Sequence, residues 1–324
     1  MKRIDCHVHV SPEISPDALV CFLDRTQTDG AVLQAVWHSR LGSLAPLAMQ
    51  LKKQFPGRFF VFGAPDASLY HSAASAIGKA QLAYLEPLLD SGMDGVKLLE
   101  GKPYMRKVHP IPAFDAECWE PFWDYMEQNA VPITFHVNDP ETFWSNVPDP
   151  WLVKQGWQYD ASYINNEEQY AEIERVLNRH PKLKLILAHF YFMSGQLTRL
   201  SALLDAYKNI AVDLTPGIEM YENFSGQPDK AAAFFARYHD RICYGTDIGG
   251  RCILTNEGYP FNERENLRRP QIVRAFLEDA FETRIESDGE YLVNRKPFVL
   301  KPLGLTEERL TEIYSRNILQ MLCK

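Results

Sequence analysis

Hydrophobic and polar residues alternate through the first ten positions of the chain. Positions 4, 6, 8 and 10 are apolar and positions 5, 7 and 9 are polar, and this period of two predicts a β-strand. Side chains two positions apart on a strand point to the same face, so His7 and His9 are expected to lie side by side. Two neighbouring imidazoles can bind one metal ion, but two histidines on a solvated strand face would give the same pattern.

Seven further apolar segments follow, and a segment with helical character comes after each. The predicted strands are 31–37, 59–64, 95–99, 131–137, 183–189, 210–215 and 242–247, and the predicted helices are 15–24, 45–55, 72–90, 116–129, 167–180, 196–207, 229–238, 269–282 and 306–322. Regular alternation of strands and helices indicates a parallel sheet, and eight units in 324 residues indicate a closed (β/α)8 TIM barrel. No linker, repeat or shift in composition divides the chain, so residues 1–324 are predicted to form a single domain.

Two connections are predicted to be irregular, 101–116 and 138–165. The second is long for a compact domain, and loops of that length are usually functional lids. It is rich in aromatic residues, among them Trp144, Trp151, Trp157 and Tyr159. These side chains could form a wall of a substrate pocket, or they could simply pack the loop onto the rim of the barrel.

Composition and charge exclude several classes of protein. The chain has 34 Lys and Arg against 42 Asp and Glu, a net charge of −8, which argues against a general binder of nucleic acid or of membrane surfaces. No apolar run approaches the roughly 18 residues of a membrane span, and the first strand begins too early for a signal peptide. The 6 cysteines are scattered without paired spacings, which favours reduced thiols in a cytoplasmic protein.

The candidate chemistry lies at the ends of the predicted strands. In barrels of this kind the site is formed where the strands end at their C-terminal side. The polar residues there are His7, His9, Lys97, His136, His189 and Asp247. Singly, each has a structural explanation: a hydrogen-bonded core histidine, a turn-capping aspartate, or a lysine that neutralises a buried carboxylate. Four histidines and one aspartate at the same end of four strands together predict a site for Zn²⁺ or a similar divalent ion.

These residues also carry a family resemblance. The segments Asp5-Cys-His-Val-His9, the strand with His136, Leu-Ala-His189 and Tyr-Gly-Thr-Asp247 resemble the amidohydrolase superfamily. The similarity is greatest to its amidohydrolase-related branch of TIM-barrel hydrolases, near the aminocarboxymuconate semialdehyde decarboxylase type. The C-terminal segment from Gly304 to Ile318 resembles the closing helix of that branch.

The resemblance implies roles for the site residues. It implies that His7, His9, His136 and Asp247 hold one ion, Zn²⁺ or else Mn²⁺, while His189 and Asp247 move the proton of the attacking water. In two-metal members a carboxylated lysine on the fourth strand bridges the ions, and Lys97 occupies that position. One ion is favoured over two.

The resemblance further implies a reaction class but not a substrate. Hydrolysis of an amide, lactone or ester carbonyl of a small molecule is the leading expectation, and non-oxidative decarboxylation of a small unsaturated or aromatic acid is the alternative. A barrel that binds a ligand or metal without turnover is a third hypothesis. Arg251, Lys97 and Asn138 are candidate substrate contacts, with Arg251 suited to clamp a carboxylate. Barrels of this branch often pair, so a homodimer is an expectation.

Overall fold

In a computed structural model of the protein, parallel strands form one nine-stranded sheet. The structure describes residues 1–12, 14–38, 40–249, 263–286 and 296–323, apart from the side chain of residue 155. The strands are β1 Ile4–His9, β2 Gly30–Ala35, β3 Phe59–Gly63, β4 Gly95–Gly101, β5 Ile133–Val137, β6 Leu185–Leu187, β7 Ile210–Asp213, β8 Ile242–Cys243 and β9 Ile248–Gly249. All eight predicted strands are therefore present, the eighth being split into β8 and β9.

The sheet closes on itself into a barrel. Its order is β8-β7-β6-β5-β4-β3-β2-β1-β9, so the two outermost strands both come from the predicted eighth strand. Between them, the Cys6 N–H donates to the Tyr244 carbonyl at 2.8 Å and the Asp247 N–H donates to the His7 carbonyl at 2.9 Å. These bonds join the eighth strand to β1, and the predicted (β/α)8 architecture is confirmed.

Helices surround the sheet and bury one apolar stripe each. They are α1 Pro16–Arg25, α2 Ala45–Gln54, α3 Leu69–Ser72, α4 Ile77–Asp90, α5 Pro103–Val108, α6 Glu120–Gln128, α7 Pro150–Gln155, α8 Asn166–Arg179, α9 Leu197–Ala206, α10 Met220–Gly226, α11 Pro228–Tyr238, α12 Glu263–Glu278, α13 Glu307–Thr311 and α14 Asn317–Leu322, with a π-helical turn Glu312–Arg316 between the last two. In α8, for example, Asn165 caps the first turn by accepting from the Glu168 N–H at 2.9 Å, while Tyr170, Ile173 and Leu177 are buried. No helix among the described residues is long and apolar enough to cross a membrane.

The connections predicted to be irregular contain short helices. The first holds α5, and the second holds α7 and a 3₁₀ turn, Glu141–Trp144. Asp149 caps α7 by accepting from the Trp151 N–H at 2.9 Å, and Pro150 occupies its first turn. Six residues are too few for a helical period to show in the sequence, which explains why these helices were not predicted. That the 324 residues form a single domain stays a prediction.

Candidate metal centre

The strand β1 presents two histidines at the C-terminal end of the barrel. His7 and His9 are 1% and 6% exposed, and their ring centroids are 5.2 Å apart. The alternation of the strand sends both rings to the same side, as the sequence predicts. The two imidazoles are thus held next to each other in a buried environment.

Asp247 completes a compact group of donor atoms with these histidines. Its Oδ1 lies 3.0 Å from His9 Nε2 and 3.9 Å from His7 Nε2. The three donor atoms all lie within 4.8 Å of one another. Two ligands of one tetrahedral Zn²⁺, each about 2.0–2.1 Å from the ion, lie ~3.3 Å apart. The donor chemistry and the spacing of this group therefore fit a divalent ion.

Lys97 projects from β4 into the same centre. It is 0% exposed, and its Nζ lies 3.0 Å from His7 Nε2. Burial lowers the pKa of its ammonium group to about 8, an effect that Asp213 and Asp247 partly oppose. The fourth strand thus delivers its amine to the metal-ligand group, as the sequence predicts, while carboxylation of Lys97 stays a proposal.

His136 and His189 lie on the opposite side of the centre. Their ring centroids are 4.8 Å apart, and the ring of His189 is 5.7 Å from that of His7. Burial lowers the pKa of both histidines, so each is a neutral imidazole at neutral pH. Among the described residues, none forms a hydrogen bond with the buried His189 Nδ1. His136 is outside the compact group of His7, His9 and Asp247, so its assignment as a ligand stays a prediction.

His189 opens a turn of left-handed backbone. Residues 189–192, none of them glycine, have φ values between 53° and 58°, a conformation that costs about 1–2 kcal/mol per residue. The turn is held at its start by the His189 N–H, which donates to Asp213 Oδ1 at 2.8 Å, and later by Tyr170, whose hydroxyl donates to the Tyr191 carbonyl at 2.9 Å. The predicted sixth strand therefore ends early, and the turn directs His189 into the centre.

Asp213, at the end of β7, is a functional residue that the sequence analysis did not identify. Its Oδ2 lies 2.8 Å from His7 Nδ1, and its Oδ1 accepts from the backbone N–H groups of His189 and Thr215 at 2.8 and 3.1 Å. A carboxylate on Nδ1 favours a proton there and leaves the lone pair on Nε2, which lies 3.0 Å from Lys97 Nζ and 3.9 Å from Asp247 Oδ1. A strand-end aspartate was the available signal, but its partners became visible only in the folded chain.

Replacing Asp213 by asparagine is expected to weaken Zn²⁺ binding by roughly ten- to a hundredfold, because His7 loses the charged partner that fixes its tautomer. Competition with a chromophoric chelator measures the affinity. Asp205→Asn is the matched control, since this aspartate pairs with Arg237 on the surface. Equal affinities in the two variants would contradict the role given to Asp213.

Arg269, on α12, anchors the carboxylate of Asp247 from outside the barrel strands. The arginine is 1% exposed; its Nη1 donates to Asp247 Oδ2 at 2.9 Å and its Nε donates to Glu265 Oε1 at 2.8 Å. Burial alone would raise the pKa of Asp247, but Arg269 and His9 outweigh it and hold that pKa well below its usual range. Asp247 is therefore ionised and oriented with Oδ1 towards the histidines.

We expect Arg269→Met to lower the free energy of unfolding by about 3–5 kcal/mol, because the change removes a buried cation that pairs with the carboxylates of both Asp247 and Glu265. Urea denaturation of the metal-free protein measures this loss. Arg274→Met on the same helix is the control, since Arg274 is part-exposed and pairs with Glu278 at 3.2 Å. A loss no larger than that of the control would show that the buried pair is dispensable.

The structure describes two of the three predicted substrate contacts, Asn138 and Lys97. Asn138 is 0% exposed; its amide donates to the Asn166 carbonyl at 3.2 Å and its oxygen accepts from Gln169 at 2.7 Å. Its polar groups are thus engaged with α8, and its role as a substrate contact stays a prediction. Arg251 lies outside the described residues. Lys97, as described above, is placed inside the centre.

The aromatic residues of the long loop form a small core of their own. Phe143, Leu152 and Tyr159 are its buried centre. The partly buried side chains packed against it are Tyr104, Trp144, Trp151, Trp157, Tyr163 and Ile218. Packing of the loop onto the barrel rim, one of the two explanations considered for these residues, accounts for the contacts of all four aromatic side chains singled out in the sequence.

Comparison with known proteins identifies similar folds and one family. No curated protein matches the chain in sequence. An uncharacterised TIM-barrel protein from Bordetella bronchiseptica is similar in structure, with a TM-score of 0.63, 15% identity, and 99% of this chain and 98% of that chain covered. 2,6-Dihydroxybenzoate decarboxylase from Rhizobium has a TM-score of 0.54 and 15% identity over 99% and 98% of the chains. A probable 2-pyrone-4,6-dicarboxylic acid hydrolase from Acinetobacter baumannii, with citric acid bound, has a TM-score of 0.53 and 14% identity over 99% of each.

Identities this low establish the fold alone, whereas the family assignment comes from the sequence itself. The amidohydrolase family model matches residues 4–322. This range begins at β1, which carries His7 and His9, and ends within α14. The chain belongs to the amidohydrolase family of enzymes.

Proposed function

We propose that the protein is a metal-dependent hydrolase that attacks an amide, lactone or ester carbonyl of a small molecule with water. The observation that carries the proposal is the compact group of the buried His7 and His9 with the partly buried Asp247, in which one ligand atom of each residue lies within 4.8 Å of the others. We assign one Zn²⁺ to this group, with Mn²⁺ as the second choice and His136 as a further ligand. When bound, such an ion supplies Lewis-acid chemistry, polarising a carbonyl group and making water more acidic.

The residues around this group orient its ligands and transfer protons. Asp213 fixes the ring of His7, and Arg269 holds Oδ2 of Asp247 at 2.9 Å. Because Oδ2 already accepts from Arg269, Asp247 exchanges a proton through Oδ1. His189 is a neutral imidazole whose buried Nδ1 has no hydrogen-bond partner among the described residues, so it is the freer group to take the proton of the attacking water and return it to the leaving group. Asp247 shares this task through its ionised carboxylate.

Decarboxylation is the second candidate function. The structurally similar Rhizobium enzyme is a 2,6-dihydroxybenzoate decarboxylase, and the same centre could protonate a ring carbon as CO₂ departs. A buried ammonium group at Lys97 could hold the carboxylate that such a reaction requires. The ligand set is compatible with both outcomes.

The products of turnover test the proposal. The protein is incubated with a panel of lactones, esters, amides and aromatic or unsaturated carboxylic acids, before and after removal of metal by a chelator and after its return. A new carboxylate without CO₂ supports the hydrolase, and CO₂ release supports the decarboxylase. Turnover that survives complete removal of metal would contradict both.

A further inference from the structure

A buried ion pair adjoins the metal centre and is not used by the mechanism above. Lys102, just after β4, and Asp139, just after β5, are 5% and 2% exposed, and Lys102 Nζ lies 2.5 Å from Asp139 Oδ1. The other carboxylate oxygen of Asp139 accepts from the Tyr159 hydroxyl at 2.7 Å. Both charges follow barrel strands at their C-terminal ends, which is the side of the barrel that holds the candidate site.

The ion pair lies close to His136. Asp139 Oδ1 is 3.5 Å from His136 Nε2 and 2.5 Å from the ammonium nitrogen of Lys102. The ammonium nitrogen and the imidazole are therefore at most about 6 Å apart, since they approach the same oxygen. This separation is comparable to the length of a small dicarboxylic acid. A group bound by Lys102 would lie next to the metal centre without occupying it.

The Lys102 ammonium group has hydrogen-bonding capacity to spare. It carries three N–H donors, and Asp139 is its only hydrogen-bond partner within the described part of the chain. The ring of Trp157, from the long loop, lies 5.0 Å from Nζ and stabilises the positive charge through its π-face. Asp139 balances the positive charge of the amine, and the Tyr159 hydroxyl satisfies the second oxygen of Asp139. Lys102 is thus a charged, preorganised donor in a buried setting.

We propose that Lys102 binds a carboxylate of the substrate, so that the enzyme acts on small molecules with a carboxylate a few ångströms from the reacting centre. This inference rests on the proposed function, to which it adds the substrate class. A single carboxylate is favoured over a phosphate dianion because Asp139 lies next to the binding position and would repel a second negative charge. Trp157 and Tyr159 of the long loop contact the ion pair, whose two charges are buried, and shielding from water strengthens charge-assisted hydrogen bonds.

Isothermal titration with succinate and with its neutral diamide, succinamide, tests the subsite in metal-loaded and metal-free protein. The variants are Lys102→Met and Lys102→Arg. Lys107→Met is the matched control, because Lys107 lies on α5, the helix that begins directly after Lys102, is exposed, and contacts Ser162 and Tyr163. Loss of one charge-assisted hydrogen bond is expected to weaken succinate binding by roughly ten- to a hundredfold in Lys102→Met.

We expect Lys102→Arg to bind succinate within a few fold of the parent, Lys107→Met to match the parent, and succinamide to bind none of the proteins at millimolar concentration. Equal succinate affinity in Lys102→Met and the parent would overturn the subsite, as would failure of the parent to bind succinate at millimolar concentration. Should Lys102→Met fail to fold, Lys102→Gln takes its place. If succinate binding depends on Lys102 in a protein that takes up no metal, the proposed function is refuted and the subsite is retained. If the enzyme depends on metal but succinate binding does not depend on Lys102, the proposed function is retained and the subsite is refuted.

Discussion

Asp247→Asn is expected to reduce turnover by at least ~10²–10⁴-fold, the usual contribution of a positioned proton-transfer group, and to weaken metal binding as well. The carboxylate Oδ1 lies 3.0 Å from His9 Nε2, and its negative charge balances the cation that the two histidines would share. The amide is similar in shape but neutral. It also leaves Arg269 without the charge that it faces at 2.9 Å. Turnover and metal affinity of the purified variant measure the effect.

The control for this substitution is Asp240→Asn, an exposed aspartate before β8. It changes the net charge of the protein by the same amount and should leave turnover and metal affinity unchanged. If Asp247→Asn behaved like this control in every assay, the catalytic centre would be wrongly assigned.

His189→Asn is expected to lower turnover by about 10²–10⁴-fold while leaving close to one equivalent of metal bound. His189 lies 5.7 Å, centroid to centroid, from His7 and is outside the compact ligand group. Its loss therefore removes proton transfer and spares the ion. Elemental analysis and steady-state kinetics on the same preparation separate the two effects.

His71→Asn serves as the control, since His71 is exposed and its Nε2 contacts His109 at 3.0 Å on the surface. A His189→Asn variant that loses metal along with activity would show that His189 is a ligand. Loss of one of two bound equivalents would indicate a two-metal centre with Lys97 in its ligand shell. Either result would contradict the single-ion assignment.

The architecture could be predicted because it follows from local pattern. Each barrel strand is a short apolar run followed by a helical segment, and the rule that strands end at one face of the barrel places His7, Lys97, His136 and His189 together without any coordinates. The structure brings these four side chains to one centre, with Asp247. Contacts between residues that are far apart in the sequence could not be predicted from this local pattern.

Arg269 is one residue whose long-range contact could not be predicted. It lies 22 residues beyond Asp247 on a helix, where an arginine is ordinarily a surface residue. Only the packing of α12 against the end of the eighth strand turns it inward. Asp213 and Asp139 were visible as strand-end aspartates, but nothing in the sequence distinguishes an aspartate that orients a histidine from one that caps a turn.

The left-handed turn at residues 189–192 could not be predicted because its backbone conformation runs against local preference. Phenylalanine and tyrosine at these positions favour extended backbone by local propensity, and the sequence predicts a strand through His189. In the fold, Phe190 packs against the ring of Phe224 at a centroid distance of 4.9 Å, and Asp213 accepts the His189 N–H. Tertiary contacts outweigh the local preference. The strained backbone coincides with the residue to which we assign proton transfer.

We infer that one divalent ion is held by His7, His9 and Asp247. Metal content per chain, measured by elemental analysis on protein purified without chelator and again after stripping and reloading, tests it most directly. The account predicts about one equivalent of Zn or Mn in the parent and a large loss in a His7→Ala/His9→Ala double variant. Protein that carries no metal and takes up none on addition, or a double variant that binds as much as the parent, would contradict it.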